Sequence, residues 1–578
     1  MGYILGLGGP YFHDAAACLI TDTGEVIAFA EEERFTRVKH NMHSRSATHA
    51  AAWCCHRAGI HLREVDEIAV AWNPAWPLPL DHIDDRELIS ELLDPRFFGG
   101  HTPARVTVLE HHLAHAAAAF YPSGYTDAAV MVVDGSGDGI STSIHHGTSA
   151  GLRRIRDWPF TQSLGWFYET VAEHIGLGDW TSAGKLMGLA AYGTPVYSLP
   201  FLQVTDDGYR LDLTRYGLHP GDATTGYTDL SYYRDLKRAY QAALSDIVAP
   251  RHRRLYRYNP TGRYDPDTRV LPHHADLAAS AQQLLQDCLL AVARTALRET
   301  GTDKLCLAGG VGLNCTANGV LHDKSGTRAL FVQPAAGDAG CALGTALECA
   351  RRQGTLSFPL APQQHTAFGP EFDDAAIRAT LDIHGIAYTE HGDAIADLAA
   401  DALADGAVIG WFQGPTEAGP RALGNRSILG DPRDPTTRDR INCEIKRREP
   451  WRPLAPSLLD PARWSETPTR PADFMIVAHP ASDAAIKQIP ATVHVDGTIR
   501  PQLVHPHQQP RYARLLNRFQ EHTGIGAVLN TSFNADAEPI VCTPADALRT
   551  FYATPLDALA IGGFMITKPR YRAARHTR

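Results

Sequence analysis

The chain has 578 residues, 44% of them hydrophobic and 20% charged, with a formal net charge of -10. That is ordinary globular composition but too long for a single core, and length alone predicts about three or four structural units. The acidic balance excludes broad, nonspecific nucleic-acid binding, and no apolar run approaches the length that crosses a bilayer, so neither nucleic acid nor membrane is an expected partner.

The chain opens MGYILGLGGPYFHD, with no basic start and no cleavage-type apolar segment. This predicts a cytoplasmic protein without a signal peptide. YILGLGG and DAAACLITDTGEVIAFAEEE read as three strands, the last two joined by a hairpin at Asp22-Thr23-Gly24. SRSATHAAAWCCHRAGI has the apolar spacing of a helix, and EHHLAHAAAAF is an alanine-rich helix. AAVMVVDGSGDGISTSIHHG repeats the strand, Asp/Gly turn, strand order. Residues 196–270, rich in Tyr, Arg, Asp and Gly, read as an insertion, either over an acceptor site or as a surface excursion. KLCLAGGVGLNCTANGVLHD is a strand, a double-glycine turn and a helix, and LFVQPAAGDAGCALGTALECARR follows the same plan. A Pro-, Gly- and Gln-containing linker then sets a boundary, giving domains 1–364 and 365–578. Beyond it, DDAAIRATLDIHG and AIADLAADALADG are helices and AVIGWFQG is a buried strand. The ten cysteines form no CxxC pair and read as buried thiols of a reducing compartment.

A duplicated strand–turn–strand followed by strand–GG–helix is the grammar of the actin-like ATPase superfamily. There two related halves clamp a nucleotide, and glycine lets backbone N–H groups approach its phosphates. Within this frame His111 and His115 stand four apart on one helix, one turn apart on one face, within reach of a single metal ion. His112 and His115, three apart, meet the same condition, and spacing alone does not choose. Asp134, after the apolar run AAVMVV, and Asp338, in PAAGDAG, add hard oxygen donors. Two imidazoles and two carboxylates suit Fe2+, Mn2+ or Zn2+. His13, beside Asp14 after the first strand, is placed to act as a base on a hydroxyl, or else is a loop histidine held by Asp14. EEERFTRVKH is either a solvated charged edge or places Lys39 near a phosphate or carbamoyl oxygen. In WTSAGKLMGLAAYG, Lys185 lies among small residues as a phosphate or carbonyl partner, without P-loop spacing.

The second domain is cationic. GPTEAGPRALGNRSILGDPR, CEIKRREPWRPLAPS and DGTIRPQLV supply Arg421, Arg426, Lys446, Arg448, Arg452 and Arg500. LNTSFNADAEPIV supplies Asn530, Thr531, Ser532 and Asn534. Guanidinium forks and amide donors suit a small phosphorylated ligand that also carries an amide-like group.

Together these blocks resemble the O-carbamoyltransferases of the NodU/CmcH family, which tailor antibiotics and of which the tobramycin carbamoyltransferase is one. The resemblance runs nearly the whole chain, from GLGGPYFHDAAACL and AEEERFTRVKH through EHHLAHAAAAF, GKLMGLAAYG, LAGGVGLNC and GDAGCALG to GPRALGNRSILGDPR, RPLAPS, DGTIRPQ and NTSFN. It implies an α/β fold: a duplicated actin-like N-terminal domain similar to TsaD proteins and a C-terminal α/β domain similar to YrdC proteins. It implies that carbamoyl phosphate and ATP, with Mg2+, yield carbamoyl-AMP and pyrophosphate in the second domain. The carbamoyl group then passes in the first domain to a hydroxyl of a natural product, and AMP leaves.

Carried over by motif, His111, His115, Asp134 and Asp338 would hold the metal, Fe2+ first, with the family pattern choosing His111 over His112. His13 would be the base and Lys39 would lie near the carbamoyl group. Lys185, Gly309, Gly310 and Asn314 would hold the adenylate. Arg421, Lys446, Arg452, Arg500, Asn530 and Ser532 would hold carbamoyl phosphate and ATP. A homodimer is allowed. The competing readings are an RNA threonylcarbamoyl-type transferase or a hydrogenase-maturation enzyme built from the same parts, the latter disfavoured by the absence of CxxC pairs, a nucleotide-sensing binding protein, and a sugar-kinase-like phosphotransferase, which would release ADP rather than AMP. Carbamoyl-phosphate-dependent pyrophosphate release separates the carbamoyltransferase from the binding protein.

Overall fold

A computed structural model describes residues 2–9, 13–42, 44, 46–71, 84–99, 105–218, 231–250, 271–535 and 537–569. The described residues divide into two compact units. One holds residues 2–36, 40–250 and 271–363, and the other holds 37–39 and 364–569.

In the first unit, β1 (Tyr3–Gly8), β2 (Ala16–Thr21) and β3 (Val26–Glu31) form an antiparallel meander; β4 (Glu67–Ala71) pairs parallel to β1, and β5 (Arg105–Leu109) parallel to β4. The spatial order is β3-β2-β1-β4-β5. The same plan returns later in the chain. β6 (Asp127–Gly137), β7 (Ile140–Thr148) and β8 (Gly151–Pro159) are the antiparallel meander. A two-stranded hairpin, β9 (Leu202–Thr205) and β10 (Gly208–Leu211), stands apart from that sheet. β11 (Lys304–Ala308) and β12 (Ala329–Val332) complete it as parallel strands, giving the order β12-β11-β6-β7-β8. The two five-stranded sheets therefore share one topology, as the repeated strand–turn–strand pattern predicts. The inner parallel strands β1, β4 and β11 are buried along nearly their whole length, whereas the edge strands β5 and β12 are only partly buried. β2 and residues 128–133 of β6 are fully buried.

Helix His111–Phe120 and helix Cys341–Gln353 pack closely. A Cβ added at Gly344 would overlap the Ala114 carbonyl oxygen, so the two backbones touch at that point. Part of the 196–270 segment is described. Tyr209 of β10 stacks on Trp158, with ring centroids 5.5 Å apart, and helix Ser231–Ser245 sets Lys237 on Glu173 at 2.6 Å. Residues 219–230 and 251–270, the rest of that segment, lie outside the described residues.

The second unit is built on an eight-stranded mixed sheet. β13 (Thr389–Glu390), β14 (Ile409–Phe412), β15 (Arg426–Gly430), β16 (Ala455–Leu458), β19 (Gln502–Leu503), β20 (Ala527–Ser532), β21 (Ala558–Ile561) and β22 (Phe564–Thr567) take the order β13-β22-β21-β14-β15-β20-β16-β19. A small ribbon pairs β17 (His479–Pro480) with β18 (Thr498–Ile499). One apolar cluster packs helices Ile395–Ala404 and Pro510–Thr523 on this sheet around the buried Trp411, and another gathers Phe412, Phe533 and Phe551.

Candidate active site

Four side chains from three distant parts of the first unit converge. The start of helix His111–Phe120 is fixed by Asp138, in the β6–β7 turn, whose Oδ2 accepts the His111 backbone N–H at 2.7 Å. His111 and His115 then lie one turn apart with Nε2 atoms 3.0 Å from each other. Asp134 arrives near the end of β6, and its Oδ1 accepts the Gly310 N–H at 2.8 Å. Asp338 opens the turn before helix Cys341–Gln353. Asp134 Oδ2 is 3.5 Å from His111 Nε2 and 3.9 Å from His115 Nε2, and Asp338 Oδ1 is 3.6 and 3.5 Å from the same atoms. Donors bound about 2.1 Å from one tetrahedral ion sit roughly 3.4 Å apart, so the residues present fit a divalent cation. All four are buried.

His112 faces the other way, with its Nε2 3.1 Å from the Ile140 carbonyl and its Nδ1 2.9 Å from Ser143 Oγ. The choice that spacing leaves open between His111 and His112 is thus made by position. Cys341 has its sulfur in reach of both His111 and His115, which sequence reasoning did not foresee. Burial and the neighbouring Asp338, Asp134 and Asp138 hold its thiol pKa well above the ordinary value. Burial works to lower the His111 pKa, yet Asp338 and Asp134 outweigh it and hold the imidazole well above its usual value. Burial raises Asp338, but His111, His115 and His13 bring it well below the carboxylate range.

His13 borders this cluster. Its Nδ1 is 3.2 Å from Asp14 Oδ2 and 3.8 Å from Asp338 Oδ2. Burial opposes its protonation, but the Asp14 hydrogen bond with Asp338 and Asp134 lifts its pKa to about 9. Asp14 adopts φ 53°, and its other oxygen takes His40 Nδ1 at 2.8 Å. Glu169, on helix Leu164–His174, is a further residue that no motif marks. Burial, opposed by Lys237 and reinforced by Glu173 and Asp134, raises its pKa to about 8. The only sequence hint is that Trp166, Glu169 and Glu173 share one half-buried helix face.

Of the residues expected around an adenylate, Gly309 has φ 88°, and a Cβ there would strike the Val133 carbonyl, so only glycine fits the turn. The Gly310 N–H is taken by Asp134. Asn314 caps helix Cys315–Lys324 through the Ala317 N–H at 3.0 Å and exchanges two hydrogen bonds with Gln282. Lys185 Nζ donates to the Leu177 carbonyl at 3.2 Å.

The second unit gathers part of the expected cationic set. Buried Lys446 donates to Ser532 Oγ at 3.0 Å and to Asn534 Oδ1 at 2.7 Å. Burial, with Arg448, Lys39 and Arg452 nearby, drives its pKa well below that of a free lysine. Lys39 is exposed and belongs to this unit, where its charge acts on Lys446. Arg452 lies 3.6 Å from Glu449, and Arg421 and Arg500 are half-buried. Asn530 sits beneath the surface on the same face of β20 as Ser532, donating to Ser457 Oγ at 3.0 Å. Arg426, read from sequence as an anion-binding cation, is spent otherwise. It is fully buried, lies 3.6 Å over the Phe412 ring and donates to the carbonyls of Gln413, Gly414, Asn425, Pro370 and Cys542. Arg433 pairs with Asp431 at 2.6 Å.

Residues 3–76 and 100–347 match the family described as carbamoyltransferase N-terminus, and residues 400–568 match carbamoyltransferase C-terminus. Nodulation protein NolNO of Sinorhizobium fredii is 36% identical over 590 residues, covering 98% of this chain and 80% of that protein. The Synechocystis protein sll1178 is 33% identical and covers 98% of this chain and 97% of its own. The 3'-hydroxymethylcephem-O-carbamoyltransferase of Amycolatopsis lactamdurans is 31% identical over 49% of this chain and 52% of its own. With both halves of the chain matched and full-length relatives above 30% identity, this protein belongs to the NodU/CmcH family of carbamoyltransferases.

Proposed function

We propose that the protein is an ATP-dependent O-carbamoyltransferase. In the second unit, carbamoyl phosphate, ATP and water give carbamoyl-AMP, orthophosphate and pyrophosphate. In the first, an acceptor hydroxyl oxygen bonds to the carbamoyl carbon, the bond from that carbon to AMP breaks, and AMP departs. The reading rests on one observation above others: His13 stands 3.8 Å from Asp338, at the edge of a buried set of two imidazoles and two carboxylates. His111, His115, Asp134 and Asp338 would hold a divalent metal, Fe2+ in the first instance. When bound, such an ion polarises a carbonyl or phosphoryl oxygen.

The chain's own residues supply the rest. Asp14 takes the Nδ1 hydrogen of His13 and leaves Nε2 to receive the acceptor proton. Asp134 and Asp338 help to hold a proton on His13, and both are among the residues that would hold the metal. Lys446, Ser532 and Asn534 orient an anion in the second unit, and Arg421, Arg452 and Arg500 add charge to it. The acceptor is a natural-product alcohol, a polyketide or a glycosylated compound. A relative named for a hydroxymethyl acceptor supports an alcohol.

The test is a screen of candidate alcohols for a carbamoyl mass gain, with carbamoyl phosphate and ATP supplied. In parallel, pyrophosphate release is followed as a function of carbamoyl phosphate. Transfer is expected to fall about 10²–10⁴-fold in His13→Ala, with pyrophosphate release retained. Release that ignores carbamoyl phosphate, or equal loss of both half-reactions in folded His13→Ala, overturns the reading.

A further inference from the structure

The helix that carries His111 and His115 is tied to the β6–β7 hairpin by a buried polar chain that touches neither donor atom. His112 Nε2 lies 3.1 Å from the Ile140 carbonyl, His112 Nδ1 lies 2.9 Å from Ser143 Oγ, and Ser143 Oγ lies 3.0 Å from His145 Nε2. His112 and Ser143 are completely buried and His145 is 1% exposed. The hydrogens in this chain follow from its ends. A carbonyl only accepts, so His112 Nε2 carries the hydrogen. Nδ1 is then a lone pair and accepts from the Ser143 hydroxyl, whose own lone pair accepts from His145 Nε2–H.

A chain that ends on a carbonyl cannot pass a proton onward, so it is no relay. Nor does stability call for it: apolar residues fill a core without desolvating polar groups, and His145 Nδ1 is buried with no hydrogen-bond partner among the described residues. What the chain does is couple two elements. Ser143 of β7 stands directly opposite Val132 of β6, two residues before Asp134. Asp138 binds the His111 N–H from the turn of the same hairpin. A Cβ at Gly137 would overlap the His111 ring, so hairpin and helix are also in contact there.

We infer that His112, Ser143 and His145 form a positioning clamp that sets the helix-borne imidazoles His111 and His115 at the spacing from strand-borne Asp134 that a divalent cation requires. This rests on reading the four-residue cluster as a metal site. The clamp acts through the rotation and depth of the helix on the sheet. Loosening it leaves every ligand in the chain but misplaces His111 and His115 relative to Asp134.

Chelator-stripped full-length protein is titrated with Co2+, followed by its visible d–d absorption, beside the melting temperature of the metal-free protein. Ser143→Ala and His112→Phe are expected to weaken Co2+ binding about tenfold or more and to shift or broaden the d–d bands, since outer groups that orient ligands carry effects of that size. Ser143→Ala removes one hydroxyl and keeps the strand, so it decides the matter if His112→Phe does not fold. Ser143→Ala with wild-type affinity and spectrum overturns the clamp while leaving the metal site standing. A wild type that takes up no Co2+ overturns the metal reading, and the clamp with it.

Discussion

The imidazole–carboxylate cluster of the first unit and the Lys446 cluster of the second are both buried and polar, yet they carry opposite electrostatic debts. In the first, two histidines face two carboxylates, so opposite charges sustain one another: His111 is held above its usual pKa and Asp338 below. In the second, Lys446 is surrounded by Arg448, Lys39 and Arg452, and burial and repulsion both press its proton off. One set is poised to accept a cation into a balanced cage, the other to accept an anion that relieves like-charge crowding. The difference shows that burial alone does not tell what a polar cluster binds; the signs of the charges gathered in it do.

His115→Ala breaks the comparison most severely. It removes one donor of four, and stoichiometric metal is expected to be lost, with carbamoyl-phosphate-dependent pyrophosphate release intact; metal analysis and the release assay check this. Lys446→Met is the mirror image. Release is expected to fall about 10²–10³-fold, in line with the loss of a preorganised charge, while metal content stays unchanged. If either variant disables both readouts in folded protein, the two clusters are not separable in function.

The arginines of the second unit sharpen the comparison in stability rather than activity. Arg426→Met takes a buried guanidinium away from the Phe412 ring and from five carbonyls, of which those of Asn425 and Pro370 keep the Gln413 and Thr416 N–H groups, and is expected to cost about 3 kcal/mol. Arg433→Ala breaks a partly exposed pair and is expected to cost less than about 1 kcal/mol. Denaturant titration of the two variants checks the ranking. A pH-dependent effect belongs to Glu169. Its folded pKa of about 8 lies above the ordinary 4.5, so its contribution to stability is fully present at acid pH and is lost as pH rises from there through about 8. Glu169→Gln should therefore raise the melting temperature by a few degrees at about pH 8.5 and leave it nearly unchanged at about pH 4.5, read by thermal melts at the two pH values.

Much of the first unit is legible in the sequence because its signals are local. Asp-Gly turns flank apolar runs at both hairpins, and the two meanders appear where those turns fall. The His111–His115 spacing is likewise a property of one helix turn, and their meeting with Asp134 and Asp338 follows once the end of β6 and the turn after β12 are placed. The rest depends on tertiary position. Nothing in EHHLAHAAAAF states that His112 turns toward Ser143, because that depends on which helix face meets β7. Arg421 and Arg426, five residues apart on one glycine-rich stretch, read alike in sequence, and only the fold around Phe412 shows that Arg426 is enclosed by carbonyls. Glu169 and His40 escaped because their neighbours, Asp134 and Asp14, are remote in the chain.

The main-chain contact between Gly344 and Ala114 bears on how fast an ion could come and go. His111 and His115 ride on one of the two helices that meet there, and Asp338 stands at the mouth of the other. With no side chain at that contact to flex, the helix that carries His111 and His115 and the helix that Asp338 precedes move apart only if the seam itself opens. Exchange of a bound ion is therefore expected to follow the breathing of the core, slow at rest and steeply quickened by warmth.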